Sequence, residues 1–116
     1  MKNTSYDCLD KYRVFDSFQL LKHIETIKKS HYVYVLCYPP LNDLVKPFYV
    51  GIGQRDSIFS LEKEAKKNKA SDSLKIETIK NINKEGEEIL RFIDGFYDQE
   101  PWQRKQELIQ EFGLLY

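Results

Sequence analysis

A chain of 116 residues, 41% apolar and 14% aromatic, has enough apolar mass for one core and too little length for two domains. Its 18 Lys and Arg balance its 18 Asp and Glu, which excludes the global positive field of a strong nucleic-acid binder and confines any such binding to a local patch. The start, MKNTSYDCLDKY, lacks the apolar region of a secretory signal, and no apolar run approaches the ~18 residues of a membrane helix. Cys8, Cys37, His23 and His31 have no zinc-site spacing, so the expectation is a cytoplasmic protein with free thiols, no metal site and no membrane partner.

The first dozen residues are polar and irregular. Asp16, with Gln19 three residues on, has the spacing of a capping box. Phe18, Leu20, Leu21, Ile24 and Ile27 then recur at helical period to about Lys29. YVYVLCY, Tyr32 to Tyr38, is β-branched and aromatic almost throughout and reads as a buried strand that Pro39 and Pro40 end. After the loop LNDLVK comes PFYVG, a second strand, so the two predict an antiparallel hairpin. Asp56 or Ser57 caps a predicted helix to about Asn68, with Ile58, Phe59, Leu61 and Ala65 facing inward. Asp72 caps the next, where Ile76, Ile79 and Ile82 repeat and Gly86 is the stop. EILRFIDG, Glu88 to Gly95, reads as a third strand, and Glu100-Pro101 opens a last helix to Phe112, before Gly113. The expected class is α+β, a small and mostly antiparallel three-stranded sheet flanked by helices. Residues 1–30 form an N-terminal extension with one helix and residues 31–116 the domain proper.

YVY at Tyr32 to Tyr34 and YVG at Tyr49 to Gly51 resemble the two halves of the GIY-YIG nuclease signature. The chain is most similar to the branch reading roughly FYVY...PFYVGKGKGNRxFxH, then ExxLIxxxG; here PFYVGIG and ELIQEFG fall at the corresponding places. The resemblance spans about Tyr32 to Gly113 and leaves the N-terminal helix outside. It implies a phosphodiester-cutting site in which tyrosines position or deprotonate water, an arginine stabilises phosphoryl charge and a glutamate holds one divalent metal. Tyr34 and Tyr49 match the two tyrosines and Gly51 the glycine of close backbone approach, with Gly53 after it.

The rest of the pattern departs. Ile52 stands where the branch has lysine, Ser57 where it has arginine, Leu61 where it has histidine and Lys105 where it has the glutamate. Arg55 lies two residues early and is the remaining candidate for the arginine's role. A helical projection puts Lys105 on the side of Trp102, Leu108, Ile109 and Phe112 and turns Glu107 and Glu111 away; a lysine there repels a divalent cation. Tyr34 and Tyr49 also have a plain structural reading, as strand tyrosines packed across a hairpin.

Lys63, Lys66 and Lys67, with Lys75 and Lys80 on the next helix, form a candidate phosphate-tracking patch interleaved with Glu62 and Glu64. DGFYDQEPWQ, aromatic among acids, suits a protein contact instead. The favoured expectation is a GIY-YIG-like protein that no longer cuts and acts by binding nucleic acid or a protein partner, with no cofactor. Size and composition suit a phage or mobile-element accessory protein, such as an inhibitor. Two alternatives stand beside it. One is an active Mg- or Mn-dependent endonuclease using Tyr34, Tyr49, Arg55 and an acid such as Glu62 or Glu107. The other is an unrelated α+β interaction module.

Overall fold

The computed structural model describes residues 12–40, 45–67 and 73–114. Within them the chain runs β1 (Tyr12–Arg13), α1 (Ser17–Ile27), β2 (His31–Cys37), β3 (Pro47–Gly53), a 3-10 turn (Ser57–Phe59), α2 (Ser60–Lys66), α3 (Leu74–Lys84), β4 (Leu90–Tyr97) and α4 (Trp102–Phe112). The class is α+β, as the sequence predicts, but the sheet has four antiparallel strands in the order β1-β4-β2-β3, not three. The extra strand is β1, two residues from the polar N-terminal stretch, pairing Tyr12 with Ile93 and Arg13 with Phe92. Two residues are too few to show a period, so only the pairing defines this strand.

The sheet is covered on both faces, which explains the unbroken apolar run of β2. Tyr32, Tyr34 and Leu36 enter one core with Leu20 of α1, Ile58 of the 3-10 turn, Ala65 of α2 and Ile76 and Ile79 of α3. Val33, Val35 and Cys37 point the other way and pack with Val50, Phe92 and Leu108 of α4. Val14 and Leu20 are as buried as the sheet residues, so the N-terminal segment shares the first core.

Two bulges adjust this pattern. Between Leu36↔Tyr49 and Cys37↔Pro47 the register jumps, leaving Phe48 unpartnered and both Phe48 and Tyr49 on the first core. Between Val33↔Gly95 and Tyr34↔Ile93 the extra residue is Asp94. Its side chain, only 3% exposed, is gripped by Arg104 of α4 at 2.7 and 3.2 Å. That fork ties the second layer to the sheet.

The helix ends obey local chemistry. Asp16 accepts the Gln19 N–H at 2.8 Å, and the Gln19 amide oxygen accepts the Phe15 N–H at 2.7 Å, the expected cap. Gly86 (φ 79) and Gly113 (φ 71) take left-handed backbone. Each begins a pair of bonds back into its helix, Gly86 to Asn83 with Glu87 to Ile82, and Gly113 to Gln110 with Leu114 to Ile109. Three expectations need correction. The helix expected from Asp56 opens as a 3-10 turn, and Asp56 makes no side-chain cap bond. Phe18, expected to face the core, is 74% exposed, and Trp102, expected on the inward side of α4, is 57% exposed. Both sit in a first turn, beyond the part of the helix that the sheet covers. The expected cap Asp72 lies outside the described residues.

Across the hairpin Tyr34 faces Gly51 and Tyr32 faces Gly53. A Cβ on Gly51 would lie 2.5 Å from Cζ and Oη of Tyr34, and one on Gly53 2.6 Å from a ring carbon of Tyr32. Each ring occupies the space its partner glycine leaves empty, and each is fully or almost fully buried. Gly51→Ala and Gly53→Ala should therefore each cost about 1–3 kcal/mol of stability in urea unfolding, the usual penalty of overpacking. Tyr34→Leu in the Gly51→Ala background should recover part of the loss, and a neutral Gly51→Ala would contradict this packing.

Candidate functional site

The tyrosines named by the GIY-YIG resemblance do meet. Tyr34 and Tyr49 approach with ring centroids 6.0 Å apart, and Tyr32 adds a third ring 6.0 Å from Tyr34. Tyr34 is 5% exposed. Burial, then the neighbouring Tyr49 and Tyr32, push its hydroxyl well above the usual tyrosine range, and its hydrogen bond to Tyr49 adds to the rise. Burial thus favours the neutral form of the Tyr34 phenol.

A cation lies against the pair. Lys75, from the first turn of α3, places its ammonium 4.8 Å from the centre of the Tyr49 ring. Ile58, Ile76 and Ile79 belong to the same core. The divalent metal that the GIY-YIG resemblance implies would need carboxylate ligands here. Among the described residues no three His, Cys, Asp or Glu side chains gather closely enough to hold an ion.

Tyr32 does different work. Its hydroxyl donates to the Arg55 carbonyl at 2.7 Å and accepts the buried Ile58 N–H at 3.1 Å. Ser57 Oγ accepts the Gln54 N–H at 2.7 Å. Ser30 Oγ donates to the Asp98 carbonyl at 3.1 Å, so it accepts from His31 Nδ1–H at 2.8 Å, which leaves Nε2 to accept from the Gln54 amide at 2.6 Å. The loop from Gln54 to Ile58 is therefore tied at both ends. Arg55 sits at its apex with φ 53. Its carbonyl is turned in to Tyr32, and the residue is exposed.

The other departures from the family pattern separate in space. Ile52 points to the second core, on the opposite face from the tyrosine rings. Ser57 is held in the loop, and Leu61 packs on the first core. Lys105 is half-buried on α4, the helix that covers the other face of the sheet. The structure thus brings Tyr34, Tyr49, Gly51 and Gly53 to one part of the hairpin and leaves Ile52 and Lys105 on the other face of the sheet. Glu62 is engaged by a two-pronged ion pair with Arg91, and Glu107 is exposed beside Arg104 at 3.6 Å.

The candidate lysines divide: Lys63 lines a different cavity and Lys75 lies against Tyr49. Lys66 and Lys67, with Lys80 and Lys84 of α3, line a groove of about 470 Å³ that also contains Glu77, Asn81 and Asn83. Lys63 lies at 3.7 Å from Asp56, Lys67 at 3.2 Å from Glu64 and Lys80 at 3.5 Å from Glu77, surface pairs of little strength. Two participants escape the sequence reading. Tyr32 is the knot of the loop, and the matching two-residue spacing of Tyr32 with Tyr34 and of Gly51 with Gly53 is the signal that places both pairs on one face. Lys75 meets Tyr49 across 26 positions, and no local rule joins them.

Tyr32→Phe should cost about 1–3 kcal/mol, because it strands the buried Ile58 N–H, measured as a shift of the urea midpoint at constant slope. The raised tyrosines also set a pH limit. Burial lifts Tyr12, Tyr32, Tyr34 and Tyr97 above their unfolded value of 10.0. Below that value both states hold the proton, so stability is intact. As pH rises above it, the unfolded chain releases protons that the folded chain retains, and stability falls. Urea melts across this range should show that decline, and Tyr34→Phe should make it shallower; equal slopes for the two proteins would contradict the buried phenol.

Among known proteins, the chain matches no family model, no curated protein and no solved structure.

Proposed function

We propose that this chain is a GIY-YIG-like module that does not cut, and that it binds the phosphate backbone of a nucleic acid along the lysine-lined groove of α2 and α3. The observation that carries the reading is a lysine ammonium against the tyrosine pair. Lys75 stands over Tyr49 where a metal-dependent nuclease needs carboxylates. The groove supports the second half. Lys67 holds an exposed pair with Glu64, and a phosphate can replace that carboxylate with release of counterions. The chain's net charge of zero predicts modest, strongly salt-dependent affinity rather than tight binding.

Supercoiled, branched and single-stranded DNA incubated with Mg²⁺ or Mn²⁺ should remain intact. Binding followed by fluorescence anisotropy should weaken linearly with the logarithm of salt, by about 0.9 in slope for each duplex phosphate engaged. Lys66→Ala combined with Lys80→Ala should flatten that slope without unfolding the chain. Cleavage that disappears with Tyr49→Phe would overturn the non-cutting half. Failure to bind single- or double-stranded DNA or RNA at low salt would overturn the binding half.

A further inference from the structure

The start of α1 and the side of α2 enclose a second cavity, of about 260 Å³, separate from the tyrosine pair and from the lysine-lined groove apart from the shared Lys66. Phe15, Phe59, Lys63 and Lys66 line it, together with the Glu62–Arg91 ion pair. Phe15 leaves 59% of its surface in solvent. The Arg13 guanidinium lies 4.5 Å from its ring centre, and Arg91 stands 4.9 Å over Phe59. Two acids on the wall are already committed, Glu62 to Arg91 and Asp16 to the Gln19 N–H. Lys63 holds only an exposed pair with Asp56 at 3.7 Å, which a ligand phosphate can displace, and Lys66 lines the cavity beside it.

A partly exposed aromatic ring, with Arg13 over one face, beside two ammonium groups fits a ligand that is aromatic at one end and anionic at the other. The volume lies below the ~300–1,000 Å³ typical of pockets for larger ligands, which suits a single planar ring system. We infer that this cavity is a subsite for one unpaired nucleotide, its base stacked on Phe15 and its phosphate on Lys63 and Lys66. The inference rests on the nucleic-acid reading above and narrows it. Bases stacked inside a duplex cannot reach a ring in a cavity, whereas those of a single strand, a bulge or a frayed end can. Charge complementarity favours this occupant over a protein, since Lys63 and Lys66 border the cavity while its two acids, Asp16 and Glu62, are engaged within the chain.

The test is anisotropy with one short labelled oligonucleotide, single-stranded and as its duplex, at equal salt. The single strand should bind about tenfold more tightly, within the range that base–aromatic stacking supplies. Phe15→Leu should erase the difference, Phe15→Trp should retain it, and the salt slope should stay the same in both, because the phosphate contacts are untouched. Phe15 is exposed, so both variants should melt like the parent. Equal affinity for the two forms would overturn the subsite and leave the lysine groove standing. A Phe15→Leu chain that keeps the preference would overturn it too and assign the exposed ring to a protein contact. No binding of either form at low salt would overturn both readings.

Discussion

Two tyrosine rings lying over two glycines of the neighbouring strand are the constraint on which the rest of this structure depends. Tyr34 over Gly51 and Tyr32 over Gly53 fix the register of the β2–β3 hairpin, because no other pairing sets both rings over backbone that lacks a Cβ. With the register fixed, the alternation along β2 assigns the aromatic residues to the layer of α1, α2 and α3 and the aliphatic ones to the layer of α4. The bulge at Asp94 then gives α4 a buried charged anchor. Neither helical layer could be placed without the hairpin.

The same contacts decide what the tyrosines can do. A ring that fills the space above a glycine is held by packing, and its hydroxyl goes where the core sends it. For Tyr34 that is a dry position beside Tyr49, with Lys75 over the outer ring. For Tyr32 it is the underside of the loop that carries Arg55. Gly51 and Gly53 thus have a packing role of their own: they allow the close approach of Tyr34 and Tyr32, whose rings fill the space above them.

Much of this architecture was legible in the sequence, and the limits have physical causes. The unbroken run from Tyr32 to Cys37, the Asp16 and Gln19 cap, and the glycines at 86 and 113 act within one or two turns of chain, so their spacing reports them directly. Phe18 and Trp102 show how periodicity fails. It marks which side of a helix is apolar but not how far along the helix a neighbour reaches. Ser57 has the right chemistry for a helix cap, but its hydroxyl accepts the Gln54 N–H inside a loop instead. The projection that grouped Lys105 with the inward residues of α4 agrees with its half-buried place, but a projection carries no information about which face of the sheet the helix covers. Lys75 on Tyr49 and Arg91 with Glu62 join residues 26 and 29 positions apart, where only the folded chain decides.

The Ile58 amide has a kinetic meaning. Most protected amides in a sheet or helix are bonded to a carbonyl of the same element and report the opening of that element. This one is buried at the first core and bonded to a phenol on a different strand. It can exchange its hydrogen with solvent only when the loop releases Tyr32 or the whole domain unfolds. Its exchange rate is therefore a clock for one local event, the detachment that would free the backbone around Arg55 to adopt another shape.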